Sequence, residues 1–164
     1  MTIKEEIIEA AKRQLPFHGI PWQIGAAVAG QESSFGQFLS APFNCIGTKR
    51  DAGTLQKPGS PKRTKEFSNT SHEETITATF CAYQSWDFCM DHLARKLAYQ
   101  SAYRPVKLAI QGMLDWQNPT EMDLLAACNA LGPIWATDAL YSKQLMAIIR
   151  REGWIAAKDN GGVA

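Results

Sequence analysis

The sequence predicts a mainly α domain of the α+β class, in which one small β-hairpin lobe interrupts a helical body. Three observations predict it. Apolar residues recur at helical spacing over most of the chain. Capping residues stand just ahead of several of these stretches. One segment only, "TITATF" at 75–80, alternates apolar residues with threonine in the manner of a half-buried strand. The chain has 164 residues, 45% of them hydrophobic, which suits a single domain over 1–164 with a real core.

Each element follows in order. Thr2 and Glu5 have capping-box spacing, and Ile3, Ile7 and Ala11 continue a helical stripe that Pro16 and Gly19 end. "IPWQIGAAVAGQES" reads as a second helix with Pro21 near its first turn. Residues 40–65 read as a loop, broken by Pro42, Gly47, Gly53, Pro58, Gly59 and Pro61. That loop is basic through Lys49, Arg50, Lys57, Lys62, Arg63 and Lys65. It is either a solvated loop or a rim that attracts an anionic polymer. "TKEFSNTSHEETITATF" then reads as the hairpin, with its turn in "SNTSHEE" and a lobe spanning about residues 50–82. Glu66 falls on the first strand, with Glu73 and Glu74 near the tip. Ser85 caps a helix bearing Phe88, Met90, Leu93 and Leu97; Thr120 and Asp123 open another; Thr137 caps a last one with Tyr141, Leu145 and Ile148 on one face and Gly153 after its end. The tail "AAKDNGGVA" is expected to fray.

Composition excludes several classes. The net charge of +1 gives no global field for nucleic acid or an anionic membrane. No apolar run approaches the roughly 20 residues of a spanning helix. The amphipathic start "MTIKEEIIEAAKRQ" lacks the plan of a signal peptide, so the chain is expected to be made in the cytoplasm. Cys45, Cys81, Cys89 and Cys128 form no CxxC pair, and no metal or cofactor is expected. Free, buried thiols are the favoured state, with two disulfides as the alternative. His18, His72 and His92 are scattered and read as surface or packing residues. No nucleophile elbow, zinc motif, Walker loop or dinucleotide fingerprint is present.

What remains is a carboxylate. Ile24, Val28 and Glu32 are four apart and lie near one line of the second helix. Glu32 therefore ends an apolar stripe on a helix of small residues. A carboxyl carried toward a core or cleft is desolvated and its pKa rises, which suits a general acid. An ordinary exposed helix-end glutamate is the plainer alternative. Paired with a carboxylate on a hairpin across a groove, Glu32 suggests glycoside hydrolysis.

Five further pieces, in order, carry a resemblance. They are "AVAGQESSFG" (Ala27, Glu32, Ser33, Phe35, Gly36), "NCIGTK" (Asn44, Ile46, Gly47, Lys49), "TKEF" (Thr64, Glu66), "FCAYQS" (Phe80, Tyr83, Ser85) and "WATDALY" (Trp135 to Tyr141). From about residue 20 to about 155 the chain resembles glycoside hydrolase family 73, the bacterial cell-wall N-acetylglucosaminidases that include flagellar peptidoglycan hydrolases. The resemblance implies a lysozyme-like helical fold with a β-lobe. It implies Glu32 as general acid and Glu66, 34 residues on, as the second carboxylate, with Glu73 and Glu74 as competitors for the second role because hairpin register is hard to place from sequence. It places Asn44, Trp135 and Tyr141 along the cleft, with packing as the alternative for both aromatics. The chain departs from the family pattern at Trp135, where Tyr is usual, at Cys45 and Ile46, and at Gly132 and Pro133.

The implied activity is hydrolysis of the β-1,4 bond after N-acetylglucosamine in peptidoglycan glycan strands. A muramidase or lytic transglycosylase on the same fold, and a non-catalytic glycan-binding module, are the alternatives. With no leader read, the expected routes to the wall are a phage lysis or tail enzyme, or an antibacterial effector delivered to a competitor's periplasm by a machine such as type VI secretion. The second route implies a cognate immunity protein in the cleft, and an oxidising compartment that moves the cysteines toward disulfides.

Overall fold

The computed structural model describes residues 1–50, 59–67 and 73–155, with side chains throughout except at 60, 62–67 and 73–76. Helix α1 (Ile3–Phe17) starts at a full capping box. Thr2 Oγ1 accepts the Glu5 N–H at 3.2 Å and the Glu5 carboxylate accepts the Thr2 N–H at 2.6 Å. Pro16 sits inside the last turn rather than beyond it, and Gly19 at φ +72° turns the chain.

Helix α2 (Trp22–Ser33) runs through the middle and packs against α1 and three later helices. Every residue from Gln23 to Ala29 is buried. The expected stripe along Ile24 and Val28 is therefore too narrow, because a helix that is apolar all round is enclosed all round. Its glycines permit that enclosure. A Cβ at Gly25 would stand 2.5 Å from Leu15 Cδ2, and one at Gly30 2.7 Å from the Phe35 ring.

The hairpin pairs β1 (Gly59–Phe67) with β2 (Glu73–Cys81), antiparallel, from Gly59↔Cys81 to Phe67↔Glu73. Strand β1 thus takes in residues 59–63, which the sequence assigned to the loop alone. Pro61 misled that reading. In a two-stranded ribbon each strand is an edge, where a residue without an N–H is tolerated. The base of the ribbon is sewn to the loop after α2. Cys81 N–H donates to the Thr48 carbonyl at 3.0 Å, Arg50 N–H to the Thr79 carbonyl at 2.7 Å, and Lys49 bridges Phe80. Of the expected turn at 68–74, Glu73 and Glu74 belong to β2 instead; residues 68–72, with His72, and the loop 51–58 lie outside the described residues, as does the tail from 156.

Helix α3 (Trp86–Tyr99) is capped by Ser85, as its sequence predicts. Met90, Leu93 and Leu97 are buried with Cys89, whereas Phe88 is more than half exposed. A short 3-10 turn at Ser101–Tyr103 leads into α4 (Arg104–Gln111), and α5 (Glu121–Trp135) opens on the Thr120–Asp123 capping box. Helix α6 (Tyr141–Arg151) corrects the sequence reading. It begins four residues after Thr137, because Asp138 takes the Leu140 N–H and holds the approach as a turn. Tyr141, Leu145 and Ile148 are buried as expected, and Gly153 at φ +70° closes the helix.

All four cysteines are buried thiols. His18 is a packed residue bound to Asp91 and Tyr99, and His92 is buried against the Tyr83 hydroxyl. No helix among the described residues is long and apolar enough to cross a membrane.

Candidate active site

Glu32 lies in the last turn of α2, and the chain after it is tightly fixed. Ser34 and Phe35 adopt left-handed backbone at φ 49° and 55°, and Gly36 follows at φ 82°. Ser34 and Phe35 N–H groups bond back to the carbonyls of Gly30 and Ala29. The Ser33 hydroxyl donates to the Ala29 carbonyl and accepts the Gly36 N–H, both at 2.9 Å. These bonds close the helix end. The small, Gly-punctuated sequence around Glu32 therefore builds a rigid mount for one carboxyl.

The two oxygens of that carboxyl are unlike. Oε1 accepts the Tyr141 hydroxyl at 2.6 Å and the Trp135 indole N–H at 3.3 Å. Oε2 lies against the backbone of Gly47, where a Cβ would approach it to 2.7 Å. Gly47 has φ +64°, so both its conformation and its neighbour call for glycine. Burial pushes the Glu32 pKa above the ordinary carboxyl value, and the Tyr141 and Trp135 hydrogen bonds oppose that rise without cancelling it.

An open cleft of about 510 Å³ begins at Glu32. Gly47, Thr48 and Lys49 line it with Phe80 at the hairpin base. Lys96, Tyr103 and Trp135 line it too, with Ala136, Thr137 and Asp138. The Trp135 ring has Tyr103 at 6.0 Å between centroids and Lys96 Nζ over it at 5.7 Å. Asp138, the other carboxylate lining the cleft among the described residues, accepts from Leu140 N–H at 2.8 Å and from the Gln144 amide at 3.0 Å.

The structure thus brings Glu32, Trp135 and Tyr141 together. Asn44 is a correction. It is fully buried, its amide donates to the Thr48 carbonyl at 2.9 Å, and its oxygen accepts the Thr48 N–H at 3.1 Å. Both polar ends are used in shaping the loop that presents Gly47, so Asn44 supports the wall without facing the cleft. Glu66 stands in β1 opposite Glu74, six residues beyond Ser60, the register partner of Phe80. That is about 20 Å along the ribbon at roughly 3.3 Å per residue. The Glu66, Glu73 and Glu74 side chains lie outside those described. Sequence reasoning missed Lys96 and Tyr103. Both reach the cleft from the far end of α3 and the turn behind it, where no local pattern marks them. Among the described residues no group of three His, Cys, Asp or Glu side chains is placed to hold a metal ion.

A half-buried glutamate ending one helix, a hairpin rising beside it and a groove between the two make the layout of the lysozyme-like glycoside hydrolases. Residues 8–153 match the glucosaminidase family, described as mannosyl-glycoprotein endo-beta-N-acetylglucosaminidase; the chain belongs to this family and is a glycoside hydrolase. Solved structures agree on the fold. A mutant of the peptidoglycan hydrolase from Sphingomonas sp. A1 matches with TM-score 0.72 at 19% identity, covering 90% of both chains. The truncated glycoside hydrolase domain of Salmonella typhimurium FlgJ matches with TM-score 0.68 at 22% identity, over 94% of this chain and 97% of that one. The catalytic domain of the Listeria monocytogenes autolysin Auto matches with TM-score 0.70 at 20% identity, over 93% and 86%. No curated protein matches by sequence.

Proposed function

We propose that the protein hydrolyses the β-1,4 bond after N-acetylglucosamine in the glycan strands of peptidoglycan, with Glu32 as the general acid. The observation that carries this is the asymmetry of the Glu32 carboxyl. Both hydrogen-bond donors meet Oε1, so the proton of the neutral acid belongs on Oε2. Burial keeps that acid neutral to higher pH than an ordinary glutamate. A glycosidic oxygen lying beside Oε2 and Gly47 receives the proton as its bond to the anomeric carbon breaks. The carboxylate left behind keeps two donors on Oε1, which stabilise its new charge. Trp135 offers an aromatic face to a sugar ring.

Glu66 is the proposed second carboxylate, taking a proton from the water that attacks the anomeric carbon. This role requires the ribbon to curve over the cleft. A lytic transglycosylase reaction, which can run on one glutamate, is the second reading. The observation that favours it is that burial raises the pKa of Glu32, and a single neutral acid suffices for that reaction.

A digest of purified peptidoglycan tests both. Reduced N-acetylglucosamine ends that vanish in Glu32→Gln support the glucosaminidase, and Glu66→Gln decides between one carboxylate and two. Anhydro-muramic ends favour the transglycosylase, and reduced muramic ends overturn the bond assignment. New ends from none of the proteins mean a binding module.

On the same reading, a cell that injects such a hydrolase into rivals needs an inhibitor seated in this cleft. Glu32→Gln keeps the cleft's shape and is the bait for it in lysate of the source organism. Recovery of no tight binder counts against the effector role.

A further inference from the structure

Cys45 and Cys89 are both fully buried, and their sulfurs lie 3.6 Å apart. They come from different parts of the fold. Cys45 is in the loop whose Gly47 rests on Glu32, and Cys89 is in the first turn of α3. The two are 44 residues apart in the chain, and β1 and β2 lie wholly between them. The pair therefore brackets the hairpin lobe at its root. Of the other thiols, Cys81 points its sulfur to the Lys49 carbonyl at 3.7 Å, and Cys128 belongs to α5. Nothing in the proposed hydrolysis uses any of the four.

We propose that Cys45 and Cys89 form a disulfide when the chain folds in an oxidising compartment, and that this bond staples the cleft loop to α3. The sulfurs must close from 3.6 Å to the roughly 2.05 Å of a disulfide, within reach of small side-chain rotations. The oxidant is an external disulfide such as oxidised glutathione. A thiolate of the pair attacks it and releases one reduced thiol. The second cysteine then attacks the mixed disulfide and releases the other. Two protein thiols become one disulfide, and the reagent takes up the two electrons and two protons as two thiols.

The timing follows from burial. In the folded chain both sulfurs are sealed from the reagent, and proximity and burial together push the Cys45 thiol pKa up, so little thiolate is present to react. The bond forms during folding, and a chain that has already folded reduced resists it.

The test is to refold the full chain from the reduced, unfolded state in a mixture of reduced and oxidised glutathione. Free thiols are then alkylated and peptides mapped without reduction. Trypsin with chymotrypsin separates Cys81 from Cys89 by cutting after Tyr83 or Trp86. The expected result is one cross-linked peptide pair joining Cys45 to Cys89. It should persist in the Cys81→Ala/Cys128→Ala double variant, and the oxidised protein should melt about 10 °C above the reduced one. Alkylation of all four thiols, or a cross-link through Cys81 or Cys128, overturns the proposal. So does equally fast cross-linking of chain already folded in the reduced state. The mapping needs no enzymatic activity, so it stands or falls apart from the hydrolase reading.

Discussion

The Tyr141 hydroxyl and the Glu32 carboxyl meet at 2.6 Å on a single oxygen, Oε1, and the Trp135 indole reaches the same atom. The tyrosine starts α6 and the glutamate ends α2, so the packing of two helices sets the protonation of one side chain. Both donors stabilise the carboxylate and pull its pKa down against burial.

Removing the Tyr141 donor therefore lets the Glu32 pKa rise further. Tyr141→Phe should move the alkaline limb of the pH–rate profile upward, because the acid stays protonated to higher pH. The rate at the optimum should fall about 10- to 100-fold, the worth of a hydrogen bond to a charged group. Trp135→Phe should move the same limb in the same direction by less, its bond being longer. Initial rates on peptidoglycan from pH 4 to 9 check both. A limb that moves downward, or stays in place, excludes Glu32 as the titrating acid.

Gly47 is the contact on the other oxygen. Gly47→Ala forces a Cβ to 2.7 Å from Oε2 in a left-handed backbone position that alanine rarely adopts. A carboxyl shifted by part of an ångström loses its aim, and the rate should fall about 10- to 100-fold. The backbone strain should cost about 1–2 kcal/mol. Melting temperature and kcat are measured on the same preparation. An active variant with unchanged kcat would show that Oε2 does not face the reacting bond.

The raised pKa of Glu32 also makes a stability prediction. The folded state holds this proton more tightly than the unfolded chain, whose value is near the ordinary 4.5. Stability therefore falls as pH rises from below 4.5 through the folded pKa. Glu32→Gln carries no such loss. Measured from pH 4 to 8, its melting temperature should match wild type at the acid end, exceed it by a margin that widens as pH rises through the folded pKa, and hold that margin above it. A constant gap across that range would mean the carboxyl gains no charge as pH rises.

The starts of α1, α3 and α5 were legible because Thr2, Ser85 and Thr120 bond within three residues of themselves, and local chemistry decides them. The start of α6 was not. Thr137 has the right type for a cap, but Asp138 captures the Leu140 N–H and delays the helix until Tyr141. Glu32 was legible as a desolvated carboxyl because it ends a buried helix. Its partners Trp135 and Tyr141, 103 and 109 residues away, came from a family pattern, since no period within one helix encodes them. Asn44 was placed along the cleft by the family pattern, which gives residue types and not where a side chain's polar atoms are used. Its amide is instead spent on the backbone of Thr48. Pro61 hid the first half of β1, because edge position is a property of the sheet and not of the strand.

The same small residues that mount Glu32 set how close the helices stand, and this is testable apart from activity. At Gly25 a Cβ would sit 2.5 Å from Leu15 Cδ2, with Leu15 itself fully buried. Gly25→Ala gains up to about 1 kcal/mol of helix propensity. Overpacking a sealed core costs about 1–3 kcal/mol, so the net loss should be about 1 kcal/mol, or about 3 °C in a domain of this size. Leu15→Ala alone leaves a cavity and should cost about 2–5 kcal/mol. Combined, the two changes relieve each other, since the new methyl enters the space the leucine left. The double variant should therefore be more stable than the sum of the singles predicts, by about 1 kcal/mol or more. Chemical denaturation of the four proteins closes the cycle. Strict additivity would mean that α1 shifts away to admit the methyl, and that the contact between Gly25 and Leu15 does not fix the spacing of α1 and α2.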